Sequence, residues 1–234
     1  MILVLRGHIR NSFETKDLYN LVNNLYSMYP NLKIFIHTWT IFSNGISWRP
    51  YEINNTIVTK QTIYDYFDNL SKLINHIIID DDSKINLIGN LKGNVSNSSM
   101  PMIGWKNYWY GKYQIISYIY NKQLYNNDVI INTRFDVLNN SVSISKHAFF
   151  NFIKKDIPLN KNLFIYEYNF GLDNLYIGTI NNMYKLSYIF NNYLDLVLSK
   201  KSVNSHELLV YLVNNSLHTK MNKEQNYTKM TWIK

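Results

Sequence analysis

Ile2-Leu3-Val4-Leu5-Arg6-Gly7-His8-Ile9-Arg10 and Leu32-Lys33-Ile34-Phe35-Ile36-His37-Thr38-Trp39 are short apolar runs that each stop in polar groups. Between them, Asp17 to Tyr29 carries Leu18, Leu21, Val22 and Leu25 at helical spacing. Asn11-Ser12-Phe13-Glu14 offers a helix start, and Pro30-Asn31 breaks the helix. A strand over Ile2–Leu5, a helix and a strand over Leu32–Ile36 have the size of a βαβ unit. The pattern continues outward. Gln61 to Asn75 reads as a second helix, and Ile77-Ile78-Ile79 as a strand running into Asp80-Asp81-Asp82. Residues 83–104 read as a long loop and Trp105 to Tyr120 as an aromatic-rich helix. Residues 129–138 read as a strand, 139–160 as irregular with one short helix, and Leu163 to Tyr168 as a strand. Residues 170–178 read as a turn and short strand, and Asn182–Asn192 and His206–Asn214 as helices. Alternating strands and helices predict an α/β layer structure with a mostly parallel sheet.

In such sheets ligands bind beyond the carboxyl ends of the strands. Three polar clusters sit there: Arg6 to Arg10, His37-Thr38-Trp39, and Asn132-Thr133-Arg134-Phe135-Asp136. On a strand, alternation would put Asn132, Arg134 and Asp136 on one face. Arg6 or Arg10 can pair with phosphate oxygens where Gly7 lets the backbone approach, or the segment is a solvated surface turn. Trp39, with His37 beside it, can stack a base or sugar, or cap the core. Asp136 can hold a divalent cation on a substrate diphosphate, or form a structural ion pair with Arg134. Asp173 can act as a general base or a cap. Glu207, in the first turn of a helix that Ser205 would cap, is equally open between catalysis and the helix dipole. The Asp80–Asp82 run reads as a solvated turn before it reads as a cation site.

Composition bounds the rest. The 234 residues, 46% of them apolar, suffice for one domain over residues 1–218 with a polar tail over 219–234. The net charge of +8 favours anionic partners, yet the lysines are scattered with no block of five basic residues. A nucleic-acid-binding reading, motivated by that charge and 20 tyrosines, therefore lacks its motif, and no nucleic-acid partner is expected. The absence of cysteine excludes disulfides, thiolate metal sites and cysteine nucleophiles. Met1 to Leu5 is too short for a signal or a membrane span, so a soluble, cytoplasmic protein is expected. The phosphate cradles G-x-G-x-x-G and G-x-x-x-x-G-K-[ST] are missing, as are H-E-x-x-H and G-x-S-x-G.

Taken in order, Leu5-Arg6-Gly7-His8-Ile9-Arg10, Ile34 to Trp39, Ile131 to Asp136, Asp173 to Gly178 with Met183, and Ser205 to Leu209 form a set. That set resembles the GT-A-type glycosyltransferase-like proteins of bacterial surface-polysaccharide clusters and large DNA viruses, over roughly residues 2–212. The Asn- and Lys-rich composition tilts the likeness toward the viral branch and so toward host cytoplasm or virion. The resemblance implies a single-domain, Rossmann-like GT-A fold and a nucleotide-sugar-dependent transferase, with a UDP-sugar as donor and a glycan as acceptor. It places Arg6, Gly7, Arg10, His37, Trp39, Asn132, Arg134 and Asp136 around the donor. It also implies Mn2+ or Mg2+ on an Asp-x-Asp motif, with Asp136 as metal ligand and Asp173 or Glu207 as base. Here that motif reads Arg134-Phe135-Asp136. The departure leaves open metal-free neutralisation of the diphosphate by Arg134, and also a non-catalytic nucleotide-sugar- or glycan-binding module on the same fold.

Overall fold

All five residues of β1 (Ile2–Arg6) are buried, as a strand covered on both faces requires. In the computed structural model, which describes residues 1–47, 52–95, 98–123, 128–139, 144–166, 174–200 and 206–217, this strand lies inside the sheet. The chain continues through α1 (Asp17–Met28), β2 (Lys33–Trp39), β3 (Ile41–Ser43), β4 (Asn54–Ile57) and α2 (Lys60–Phe67). A 3-10 turn (Asp68–Leu73), β5 (Ile74–Asp80), α3 (Met102–Lys122), β6 (Val129–Arg134) and α4 (Lys146–Ile153) follow. The last elements are β7 (Leu163–Phe164), β8 (Leu175–Thr179), α5 (Ile180–Asn192), α6 (Leu194–Lys200) and α7 (His206–Asn215).

Six strands form one sheet in the order β5-β2-β1-β6-β8-β7, and β3 and β4 form a separate hairpin. The first four are parallel, whereas β8 runs antiparallel to β6 and to β7. The architecture is α/β with a mostly parallel sheet, as the alternating pattern predicts. Side-chain alternation builds the two cores. Leu3, Leu5, Ile34, Ile36 and Ile131 meet Leu21 and Leu25 of α1, Phe67 of α2 and Phe149 of α4. Ile2, Val4, Phe35 and Ile130 meet α3, α5 and α7 on the opposite face. There Trp109 stacks on Phe190 at 4.2 Å between ring centres, and Trp105 meets both edge-on. Burial of side chains this large contributes about 2–3 kcal/mol each.

Local departures from the expected elements have local causes. The helix expected through Asn75 stops at Phe67, because Asp68 turns at φ +46° and Ile74 is already paired with Ile34 of β2. The strand expected over 129–138 ends at Arg134, and Phe135 to Asn139 form a turn. Asp136 therefore leaves the strand face that alternation assigns to it. The β3–β4 hairpin and α6 have no counterpart in the expected pattern. The expected strand through Tyr168 is seen over Leu163–Phe164. Residues 167 and 168, the Gly171-Leu172-Asp173 turn, the Ser205 cap and the tail from Thr219 lie outside the described residues. Among the described residues, no helix is long and apolar enough to cross a membrane.

Candidate functional site

Strand order decides where the cleft opens. From β1 the chain crosses to β2 on one side, and it returns through α3 to β6 on the other. The sheet thus has a topological switch point between β1 and β6, where carboxyl ends diverge and a crevice forms. In register, Arg6 pairs with His37 on one side and with Arg134 on the other. A cavity of about 110 Å3 opens here, lined by Arg6, His8, Arg10, Arg134, Asn107 and Glu207 among others. It has room for several waters or a phosphate-sized group.

Each arginine is held by its own support. Arg6 is buried, donates through Nε to Asn132 Oδ1 at 2.9 Å, and lies 4.4 Å from the centre of the Tyr108 ring. Arg10 sits at φ +54°, a left-handed conformation that costs a non-glycine residue about 1 kcal/mol. The turn holding it there is tied down. Gly7, at φ +92°, donates its N–H to the His37 carbonyl, Thr38 Oγ1 donates to the Gly7 carbonyl, and Arg10 N–H donates to the Phe42 carbonyl. Arg10 Nη1 then donates to Asp136 Oδ2 at 2.8 Å. Arg134 forks onto both oxygens of Asp136, with Nε at 2.6 Å from Oδ1, and reaches Asn174 Oδ1 through Nη1 at 3.3 Å.

Asp136 is 1% exposed. Burial alone would raise its pKa, but the guanidinium groups of Arg134 and Arg10 hold it down at about 2. It does not line the cleft; it anchors two of the residues that do. Its two oxygens already accept charge-assisted bonds from three guanidinium nitrogens. A divalent cation there would displace those bonds and face two neighbouring positive charges. Among the described residues, no group of three or more His, Asp or Glu is placed to hold a metal ion. The expected Mn2+ or Mg2+ does not fit Asp136 as it is arranged here.

Other expected residues separate into cleft wall and support. Arg6, Gly7, Arg10, Trp39, Arg134 and Glu207 line the cleft. Trp39 is also a core residue, stacked on Tyr110 and touching His37 edge-on. His37 and Asn132, also expected around the donor, are fully buried and stand behind the residues that line the cleft. His37 Nε2 donates to Asp80 Oδ2 at 3.1 Å, and its ring rests against Gly111 of α3. Asp80 is thus a partner of the β2 end, while Asp81 caps its own turn through Ser83 and pairs with Lys84 on the surface, as the solvated-turn reading expects. Asp173 lies outside the described residues. Glu207, in the first turn of α7, has Oε1 2.8 Å from His206 Nε2.

Several wall residues carry no distinctive sequence signal. Asn107 and Tyr108 belong to an aromatic-rich helix in which nothing marks them from their neighbours. Asn107 is 7% exposed, and among the described residues its Oδ1 has no hydrogen-bond partner. Asn174 follows the expected Asp173 and holds both Arg134 and Thr133 Oγ1. His8, inside the Arg6–Arg10 run, donates Nδ1–H to the Ile41 carbonyl, which fixes the tautomer with the lone pair on Nε2. Burial lowers its pKa to about 4, helped by Arg10, His37 and Arg134 and opposed by the Ile41 bond. It is neutral near pH 7. The result is a cleft with three arginines and two imidazoles on its wall and, among the described residues, one carboxylate, Glu207. No protein-family model matches the chain, and no curated protein matches it in sequence.

Proposed function

We propose that the protein transfers a sugar from a nucleotide-diphosphate donor to a hydroxyl of a glycan acceptor. The observation carrying this reading is the convergence of Arg6, Arg10 and Arg134 on one cleft at the switch point of an α/β sheet. Three pre-oriented guanidinium groups suit a diphosphate, whose negative charge grows as the bond to the sugar breaks. The net charge of +8 adds long-range attraction for an anionic donor.

In the proposed reaction the sugar C1–O bond to the diphosphate breaks and a bond from the acceptor oxygen to C1 forms. The leaving diphosphate keeps the electron pair and is stabilised by the three arginines. Glu207 takes the acceptor proton, with His206 Nε2 2.8 Å away positioned to orient its carboxylate. Asn107 Oδ1 and Asn174 supply polar groups that orient the bound molecule.

Incubation with UDP-, GDP- and dTDP-sugars and a panel of glycan acceptors tests this reading by product formation. Glu207→Gln should lower kcat by about 10²–10⁴ with donor affinity little changed. Wild-type turnover by that variant would remove Glu207 from the mechanism. A second reading, a non-catalytic binding module, is favoured by the single described carboxylate on the wall. Donor binding with neither transfer nor hydrolysis for any sugar would establish it over the first.

A further inference from the structure

We infer that the cleft holds its diphosphate without a divalent cation, Asp136 serving to position Arg10 and Arg134 where a metal ligand would otherwise stand. This rests on the reading of the cleft as a nucleotide-diphosphate site and deepens it. Arg134 stands at the carboxyl end of β6, in register with Arg6 of β1. Its guanidinium grips Asp136 at both oxygens, and Arg10 adds a third bond.

Charge and geometry agree. Arg6, Arg10 and Arg134 all line the cleft, and Asp136 behind them offsets one of the three charges. The three guanidinium groups and Asp136 together leave two positive charges facing a diphosphate, and Glu207 elsewhere on the wall carries the opposite sign. Each guanidinium is fixed before a ligand arrives: Arg134 by Asp136 and Asn174, Arg10 by Asp136 and a tied left-handed turn, Arg6 by Asn132 and the Tyr108 ring. Preset planar donors lose little freedom on binding, so they fill the role a bound cation has elsewhere. The strained backbone at Arg10 is what such a preset site retains.

Isothermal titration in EDTA provides the test, using inorganic pyrophosphate and a panel of UDP, GDP, dTDP and ADP. Wild-type protein should bind pyrophosphate and at least one nucleotide in EDTA, and Mn2+ should change that nucleotide's Kd by no more than about twofold. Asp136→Asn should weaken binding in EDTA by about tenfold, the scale of one charge-assisted contact. A purely electrostatic role for Asp136 predicts the opposite, since removing its charge would tighten an anion. Binding that requires Mn2+ would overturn the metal-free site and leave the diphosphate reading standing. Absence of binding in both conditions would overturn both. Tighter binding by Asp136→Asn would overturn the positioning role. If that variant does not fold, the wild-type comparison in EDTA and Mn2+ still decides the central point.

Discussion

Asp136 shows how a residue organises a site without reaching its ligand. The Arg134–Asp136 spacing made their pairing legible in the sequence, and an ion pair was one of the two readings it left open. What spacing did not show was that the strand stops at Arg134, so that Asp136 drops behind the wall and also takes Arg10. His8 was hidden for a different reason: a lone histidine in a basic run carries no mark of the carbonyl that will fix its tautomer. Both groups tie stability to pH. The folded pKa of His8, about 4, lies below its ordinary 6.5, and that of Asp136, about 2, lies below 3.8. The folded chain therefore binds fewer protons than the unfolded chain in both windows, and stability falls on acidification. His8 contributes between pH 6.5 and about 4, and Asp136 between 3.8 and about 2. Urea unfolding near pH 7 and near pH 4.5 should show wild type losing about 2 kcal/mol more than His8→Gln. Equal losses would contradict the buried, neutral imidazole.

Among the elements, α3 approaches the sheet closely at a glycine. A Cβ on Gly111 would lie 2.5 Å from His37 Nδ1, so α3 seats against β2 through an absent side chain. Gly111→Ala gains helix propensity but must displace the ring that bonds Asp80. A net destabilisation of about 1–2 kcal/mol is expected by denaturant titration, and an unchanged midpoint would contradict the contact. At the other end of the fold, buried Asn162 and Asn214 exchange hydrogen bonds, and Asn162 and Asn182 join them to α5. This network fixes α7, which presents Glu207. Asn214→Leu leaves Asn162 short of partners and should cost about 1–3 kcal/mol, measured the same way; an unchanged midpoint would show that α7 is held by its apolar face alone. The opening strand–helix–strand unit was legible because apolar spacing and the Pro30 break agree. The β3–β4 hairpin was not: β4 is exposed along its whole length, so no apolar alternation announces it. Neither was α6, whose seven residues are too few for a clear helical period.

At the scale of the whole molecule, strand order brings together clusters that lie far apart in the chain. The sequence already set the Arg6–Arg10, His37–Trp39 and Asn132–Asp136 clusters at strand ends, and the rule that ligands sit beyond carboxyl ends grouped them. It held no information on which strands adjoin, and so could not separate the wall from its support. His37 and Asn132 went behind the wall because each lies on a strand interior covered by helices on both faces. Arg6, Arg10 and Arg134 meet in the cleft at the switch point, so ligand-induced stabilisation is the direct measurement. Thermal unfolding should be followed with UDP-, GDP- and dTDP-sugars and their nucleoside diphosphates, for wild type and Arg134→Ala. A ligand at about 100 times its Kd stabilises the fold by about 2.7 kcal/mol, which for a chain of this length raises Tm by roughly 5–10 °C. At least one of these ligands should produce that rise in wild type and lose most of it in Arg134→Ala. No rise with any of them, or an equal rise in the variant, would contradict a nucleotide-diphosphate site built on these arginines.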